Sequence, residues 1–304
     1  EAEARTKQIL EQFYQKTQGE ITRSFLSRMI TRLESEQSVK EYLDIMDHRK
    51  TEQLIDTLDK VEQNRKECYI REFSIEHFHD SKVFETLIPK ICKIFREENE
   101  ELTGFENEEI LAEYQIYKTP GYVYMKGNVQ IYSAGKQAAD ISAFPEGIAV
   151  AVGSEEDVPD ICPDQTIDKV FTIENLTSFY RFKQEHSLVI YLGGYHNRSR
   201  RNLLMQIYQK LPDAQYYHFG DLDAGGFYIL EHLKRKTGIP FQMFQMDIET
   251  LKKYEDYAKP LTENDKKRLM QLEKMELPDE ERKLITYMLQ KGIKLEQECI
   301  SKSQ

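Results

Sequence analysis

Hydrophobic positions recur with two different periods along the chain. Between residues 1 and 65 the apolar residues follow helical spacing, as in Leu54, Ile55 and Leu58, and Gly19 is the only glycine or proline. This pattern predicts a helical N-terminal region over residues 1–65.

Residues 66–160 show a mixture of both periods. The stretch IREFSIEHF (70–78) alternates like a strand, KVFETLIPKICKIF (82–95) is amphipathic with helical spacing, and a further helix is expected near residue 109. The stretch 114–135 alternates again and is broken by TPG and KGN, as in a short β meander. Helices followed by a meander are typical of a winged-helix module, although many small α+β units share this pattern.

From about residue 166, strand-like and helical segments alternate. Four apolar strands are predicted in KVFTIEN, SLVIYLGG, QYYHFGDLD and IPFQMFQMD. Helices are predicted between them in LTSFYRFKQ, SRRNLLMQIYQKL and GGFYILEHLKRKTG, the last ending at Gly238. Such alternation predicts an α/β domain with a mostly parallel sheet over residues 161–304.

Three acidic residues follow the ends of these strands. Glu174 comes after the first strand, and Asp221 and Asp223 come after the third. Because the carboxyl ends of parallel strands meet at one edge of a sheet, we expect these carboxylates to converge. A divalent cation would relieve their repulsion, and oxygen ligands favour Mg²⁺ or Mn²⁺. Gly225 and Gly226, at the start of the next helix, would let backbone amides approach a phosphate. For each motif alone, an ordinary turn is the simpler interpretation.

The overall charge of −11 argues at first against a nucleic-acid ligand. Residues 165–250, however, hold 10 Lys and Arg against 9 Asp and Glu, so the acidity lies elsewhere. Within this segment we define a basic group of candidate DNA contacts, namely Arg198, Arg200, Arg201 and Lys234. A solvated helix face explains such clusters equally well.

Composition and length limit the class of protein. The chain has 304 residues, 39% of them hydrophobic and 31% charged, which predicts a soluble globular protein of two or three domains. No apolar run approaches the roughly 18 residues that a membrane span requires, so we expect a cytoplasmic protein. The four cysteines are scattered and are expected to be reduced. His77 and His79 would share one side of a strand, but a half-exposed strand is preferred over a metal site there.

The order of these motifs resembles that of the Toprim domain found in topoisomerases, primases and related nucleases. It is more similar still to the JetD family, the nuclease subunits of Wadjet plasmid-defence systems, which resemble the A subunit of topoisomerase VI. The resemblance rests on five stretches, namely REFSIEHFHDSKVFE, IENLTSF, GDLDAGGFYIL, MDIETL and LEQECI.

This resemblance implies a winged-helix DNA-binding domain before a Toprim domain and metal-dependent cleavage of double-stranded DNA. It carries metal-binding and catalytic roles to Glu174, Asp221 and Asp223, and a catalytic role to Glu298. The implied partners are the SMC-like, kleisin-like and accessory subunits of a condensin-like complex, and a homodimer is compatible with it. Cys299 stands where the family pattern leads us to expect a basic residue.

Three other functions remain open at this stage. A haloacid-dehalogenase-like phosphatase also uses Asp-x-Asp, but its motif continues with Thr or Val where this chain has Gly225. A topoisomerase-like transesterase would need a tyrosine nucleophile, and the chain has 18 tyrosines, none in a recognisable motif. A catalytically inert DNA-binding or scaffolding subunit is disfavoured because the three acids are present.

Overall fold

A computed structural model of the chain describes residues 2–103, 105–118, 122–152, 159–193, 196 and 198–301. The chain forms two compact units, Glu1–Thr119 and Pro120–Gln304. The described helices are α1 (Ala2–Lys16), α2 (Glu20–Glu34), α3 (His48–Gln63), α4 (Ile70–Phe78), α5 (Val83–Glu98), α6 (Asn107–Glu113), α7 (Leu176–Arg181), α8 (Arg198–Lys210), α9 (Ala224–Thr237), α10 (Ile248–Lys253), α11 (Glu263–Leu272), α12 (Asp279–Lys291) and α13 (Gln297–Ser301).

The described strands are short and fall mostly in the second unit. They are β1 (Cys68–Tyr69), β2 (Ile116–Tyr117), β3 (Tyr122–Lys126), β4 (Val129–Ser133), β5 (Lys136–Asp140), β6 (Ile148–Ala151), β7 (Asp160–Pro163), β8 (Lys169–Ile173), β9 (Ser187–Tyr191), β10 (Gln215–Phe219), β11 (Gln242–Met243), β12 (Lys259–Pro260) and β13 (Ile293–Lys294).

The first unit is helical, as the sequence predicts for residues 1–65. Its helices α1, α2, α3 and α5 pack around a buried apolar core that includes Leu10, Phe25 and Leu58. Glu62 on α3 is also buried, and its carboxylate accepts the backbone N–H groups of Ile21 and Thr22 at 2.8 and 2.9 Å. A carboxylate in this position satisfies unpaired amides in the first turn of α2 and complements the helix dipole. The buried charge of Glu62 therefore has a structural explanation.

The stretch IREFSIEHF forms helix α4, so the predicted strand is wrong. Ile70, Phe73 and Ser74 are buried while Ile75 is 53% exposed, which is the i, i+3, i+4 pattern of a helix and not the alternation of a strand. His77 lies within this helix and His79 follows its end with a left-handed φ of 56°. The two histidines therefore do not share one side of a strand, whereas the predicted helices at 82–95 and near 109 are confirmed as α5 and α6.

The second unit contains a six-stranded sheet with the order β11-β10-β8-β9-β3-β6. The four strands predicted from the alternating segment, β8 to β11, are all parallel. β3 pairs antiparallel with β9, and β6 pairs antiparallel with β3 at the edge of the sheet. The predicted α/β class is therefore confirmed. The fourth strand is shorter than its sequence pattern, because only Gln242 and Met243 pair with β10 before Asp247 caps α10.

The two compact units meet between residues 119 and 120, and the domain boundaries after residues 65 and 160 stay predictions. The predicted meander contributes β3 to the six-stranded sheet, while β4 and β5 join β7 in a separate three-stranded antiparallel sheet. These strands belong to the second unit. Within the described residues of the first unit, the β structure consists of the parallel pair β1–β2.

The core of the second unit lies between the sheet and helices that cover it. Apolar side chains of β8, β9 and β10 pack with those of α7, α9, α10, α11 and α12 in one buried cluster. The helices predicted before β9, β10 and β11 form at the expected places, and α9 ends at Gly238 in the left-handed conformation. This packing fixes the carboxyl ends of β8 and β10 beside each other.

Candidate active site

Glu174 lies beside the end of the neighbouring strand β10. Ile173 pairs with Phe219 at the end of the β8–β10 ladder, and the backbone N–H of Glu174 donates to Phe219 O at 3.0 Å. The backbone N–H of Asp221 in turn donates to Glu174 Oε2 at 3.2 Å. A Cβ atom at Gly220 would come within 2.7 Å of that same oxygen. Glycine at position 220 therefore leaves room for the glutamate carboxylate.

The Asp-x-Asp motif forms the turn from β10 into α9. Asp223 is the N-cap of α9, and its Oδ1 accepts the backbone N–H of Gly226 at 2.9 Å. A Cβ atom at Gly226 would lie only 2.1 Å from the carbonyl oxygen of Asp221, so a side chain does not fit there. The glycine thus allows the first turn of α9 to fold back against the Asp221 backbone.

Asp221 is a partly buried carboxylate of the site whose pKa is strongly shifted. Its pKa is raised to about 7, mainly by burial and also by the negative charges of Asp223 and Glu298, while the backbone N–H of Gln297 opposes the shift. That N–H donates to Asp221 Oδ1 at 2.7 Å. A partly buried carboxylate among other carboxylates is a candidate functional group, because the neighbouring negative charges disfavour its ionisation.

Glu298 reaches this edge of the sheet from the C-terminal segment. Leu295 forms an antiparallel bridge with Leu222, between the two aspartates, and this pairing brings the following residues to the strand ends. Glu298 is exposed, and its Oε1 accepts the side-chain N–H of Asn175 at 2.5 Å. Asn175 also caps α7 by accepting the N–H of Ser178. The structure therefore brings all four predicted acids to one edge, and we call them the acidic group (Glu174, Asp221, Asp223 and Glu298).

The acidic group is held mainly by backbone amides. One oxygen each of Glu174, Asp221 and Asp223 accepts a backbone N–H, which fixes the orientation of each carboxylate. Over the described residues, no three His, Cys, Asp or Glu side chains form a cluster already close enough to hold a metal ion. The carboxylates converge, but they do not form a ready-made cage.

Tyr191 and His218 adjoin the site, and sequence reasoning did not single them out. Tyr191 ends β9 opposite Ile173, and burial raises the pKa of its phenol, with the charge of Glu174 adding to the shift and that of Arg200 opposing it. His218 is fully buried beneath Gly220, bonds to Thr172 at 2.9 Å, and has a pKa lowered to about 3 by burial. Both residues could have been found from their positions near strand ends.

The described side chains of the basic group do not converge at one place as those of the acidic group do. Arg201 is 8% exposed and donates to the backbone oxygen of His196 at 2.8 Å. Lys234 forms ion pairs with Glu231 and the buried Glu281. These contacts give Arg201 and Lys234 internal, structural partners.

Of the other two basic residues, the structure describes the side chain of Arg200 but not that of Arg198. Arg200 is half-buried and donates to Leu192 O at 2.7 Å, just after the end of β9, and its charge acts on the nearby Tyr191. Arg198 begins α8, but its side chain lies outside the described part of the structure. Arg200 is therefore the member of the basic group whose described position is nearest to the strand ends.

The fold and the acidic group define a class of protein, namely an α/β protein with a carboxylate site at the edge of a mostly parallel sheet. Residues 156–304 match the family model described as "Wadjet protein JetD, C-terminal". Over 263 residues, the chain is also 28% identical to Wadjet protein JetD of Bacillus cereus (strain Q1). Both matches support a JetD-like protein. The alignment covers 85% of this chain but 63% of the relative, so the chain spans less than two thirds of that protein's length.

The four cysteines are not in disulfides, as the sequence predicts. None of the helices described here is sufficiently long and apolar to span a membrane.

Proposed function

We propose that this chain is a DNA-cleaving subunit of a Wadjet-type defence system and that it hydrolyses phosphodiester bonds of double-stranded plasmid DNA with Mg²⁺ or Mn²⁺. The observation that carries the proposal is the convergence of the acidic group at the ends of β8 and β10. The match to the JetD family supports the system in which it acts. On this proposal the catalytic unit is a Toprim-type domain.

The donor atoms of the acidic group suit a hard divalent cation. All are carboxylate oxygens, and the elevated pKa of Asp221, caused first by burial and then by neighbouring negative charges, is the mark of a carboxylate that a cation would stabilise. Glu174, Asp221 and Asp223 would hold the cation, after small side-chain movements. When bound, it would neutralise phosphate charge and make a bound water more acidic.

The residues of the acidic group would have separate roles in the reaction. Asp221 and Asp223 are held in fixed orientations by Gln297 N and Gly226 N, so both carboxylates are preorganised before DNA binds. Glu174 faces the same strand ends from β8 and is our candidate for accepting the proton of the attacking water. Glu298 would orient the turn after β8 through its hydrogen bond to Asn175.

DNA would approach this edge through its phosphate backbone. We propose that Arg200 and Arg198 contact DNA phosphates beside the strand ends. The site itself is acidic, so basic residues near it are needed to attract a polyanion such as DNA. Residues 66–160 are the proposed source of a winged-helix-like contribution to DNA binding. SMC-like, kleisin-like and accessory subunits are proposed as partners that deliver the DNA.

The test is incubation of supercoiled plasmid with the purified chain and Mg²⁺ or Mn²⁺, with EDTA as control. The products are treated with protease after denaturation, and their ends are analysed. We expect linear or nicked DNA with protein-free ends, only when the divalent cation is present. Failure to cleave under any of these conditions, with the partner subunits also added, would contradict the proposal.

The same experiment separates the rival functions. Ends that remain attached to protein would indicate a tyrosine transesterase, whereas binding without cleavage would indicate an inert DNA-binding subunit. The pKa of Tyr191 is raised by burial, which makes its phenol harder to ionise and Tyr191 itself a weaker candidate nucleophile.

A further inference from the structure

The C-terminal segment is built into the candidate site and does not merely end the chain beside it. Leu295 exchanges two backbone hydrogen bonds with Leu222, at 2.9 and 3.1 Å, so the segment pairs with the residue between the two aspartates. Leu295 and Ile300 are each 1% exposed and belong to the core of the second unit. These two anchors fix the residues between them against the strand ends.

Gln297 is the residue of this segment with the most contacts to separate parts of the site. It is completely buried, its Nε2 donates to Phe219 O at 2.8 Å, and its Oε1 accepts the backbone N–H of Asn175 at 2.9 Å. Its own backbone N–H donates to Asp221 Oδ1 at 2.7 Å. One buried residue therefore connects the last residue of β10, the turn after β8 and the carboxylate of Asp221.

The side-chain amide matches these two backbone groups in a way that few side chains can. Phe219 O already accepts the N–H of Glu174 and has a second lone pair for another donor, whereas the N–H of Asn175 requires an acceptor; a primary amide presents one donor and one acceptor. An apolar side chain of similar size would leave both backbone groups without these bonds in a buried place, and glutamate would set a carboxylate oxygen against a carbonyl oxygen. The contacts thus specify glutamine at this position.

We propose that Gln297 is a positioning residue, which keeps the turn after β8, with Glu174, in register with the turn after β10, with Asp221. The proposal rests on the proposed nuclease function and deepens it. Gln297 does not touch DNA or the reacting atoms in this role. Its effect is to hold carboxylates from two strands at a fixed separation, on which a shared site depends.

The test compares Gln297→Met with Tyr216→Phe. Methionine keeps the length of the side chain but removes both amide contacts. Tyr216 lies on the same strand β10, and its buried hydroxyl donates to Leu211 O at 3.0 Å, away from the acidic group. Tyr216→Phe therefore breaks a buried hydrogen bond of the same unit without touching the site.

Hydrogen exchange in the absence of DNA gives the readout that does not depend on activity. In Gln297→Met we expect the amides of Asn175 and Leu222 to exchange at least about tenfold faster than in the wild type, and to remain unchanged in Tyr216→Phe. Unchanged exchange at these amides in Gln297→Met would overturn the proposal, whether or not the protein cleaves DNA.

Cleavage kinetics give the second readout. We expect kcat to fall by about 10²-fold in Gln297→Met while KM for DNA stays within about twofold, because binding surfaces are intact and only the alignment of the site is lost. Tyr216→Phe should retain the wild-type kcat. An active wild type with an unchanged kcat in Gln297→Met contradicts the positioning role. Faster exchange together with a wild type that stays inactive even with the partner subunits supports the structural role of Gln297 and refutes the nuclease proposal instead.

Discussion

The acidic group and the basic group lie in the same α/β unit, yet the fold uses them differently. The acidic residues meet at one edge of the sheet, where backbone amides orient Glu174, Asp221 and Asp223. The basic residues are dispersed, since Arg201 is buried against His196 and Lys234 is paired with two glutamates.

The difference shows which sequence features predict where a functional site lies. The acids follow parallel strands, and sheet topology brings the ends of such strands together whatever their separation in sequence. The basic residues form runs along helices, and a run of charges on a helix points in several directions, of which some face the interior. Position relative to the sheet is therefore a better guide here than local density of charge.

The largest expected effect is loss of cleavage when an aspartate of the turn is removed. Asp221→Ala or Asp223→Ala should lower the cleavage rate by about 10³-fold or more, because each removes a carboxylate proposed to hold the cation. DNA affinity should be unchanged or higher, since negative charge leaves the phosphate path. Asp213→Asn is the control, because Asp213 is exposed and lies just before β10, at its amino end. Equal cleavage rates in the Asp221 and Asp213 variants would show that the acidic group has no special role in cleavage.

The second effect concerns stability and the internal role of Lys234. Lys234→Met should lower the free energy of unfolding by roughly 2–3 kcal/mol, because Glu281 is 3% exposed and would lose the cation that offsets its burial. Lys236→Met, two residues along α9 and exposed, should leave stability unchanged. Urea unfolding measures both variants. If Lys234→Met unfolds like the wild type and loses DNA affinity instead, Lys234 is a DNA contact after all.

The third effect follows from the pKa of Asp221 in the metal-free protein. Its folded pKa of about 7 exceeds the ordinary value of about 3.9, so the stabilising contribution of the protonated group is full below about pH 4 and is lost as the pH rises through 7. Asp221→Asn should therefore raise the free energy of unfolding at pH 8, by about 1–2 kcal/mol after allowance for partial solvent screening.

The gain from Asp221→Asn should shrink as the pH falls towards 4, because the wild-type carboxyl is then protonated as well. Thermal unfolding in EDTA at several pH values measures this dependence. Added Mn²⁺ should stabilise the wild type at pH 8 and not Asp221→Asn. A gain that is the same at pH 8 and pH 4 would show that charge burial at Asp221 is not its cause.

The smallest effect separates two neighbouring arginines. Arg200→Ala should flatten the log–log salt dependence of DNA binding by about 0.9, the value for one phosphate contact, and should lower stability less than Arg201→Ala because Arg200 is only half-buried. Arg201→Ala should instead lower stability, because Arg201 is buried and bonded to His196 O. An unchanged salt slope in Arg200→Ala would remove Arg200 from the DNA path.

Much of the second unit could be predicted from sequence because its elements are local and strongly periodic. The strands β8, β9 and β10, the helices that connect them and the convergence of Glu174 with Asp221 follow from the alternation of short apolar strands with amphipathic helices. The helix end at Gly238 was also predictable, because glycine adopts the left-handed φ of 69° without strain.

Other features depend on long-range contacts or on a misleading local pattern. The antiparallel addition of β3 and β6 to the sheet is decided by pairing between distant segments, which local periodicity does not encode. In α4, Phe73 and Ile75 suggest alternation, but Ile75 is 53% exposed and the buried set follows helical spacing. The role of Gln297 required the fold, since its partners are 78 and 122 residues away in sequence.

The most direct test of the central claim is a crystal structure of the chain with Mn²⁺, in which anomalous diffraction locates the cation. We predict one strong peak at the ends of β8 and β10, with at least one oxygen of Asp221 or Asp223 at about 2.0–2.3 Å and Glu174 as a direct or water-mediated ligand. A peak at another place, or no peak at this edge when Mn²⁺ is present at millimolar concentration, would contradict the account.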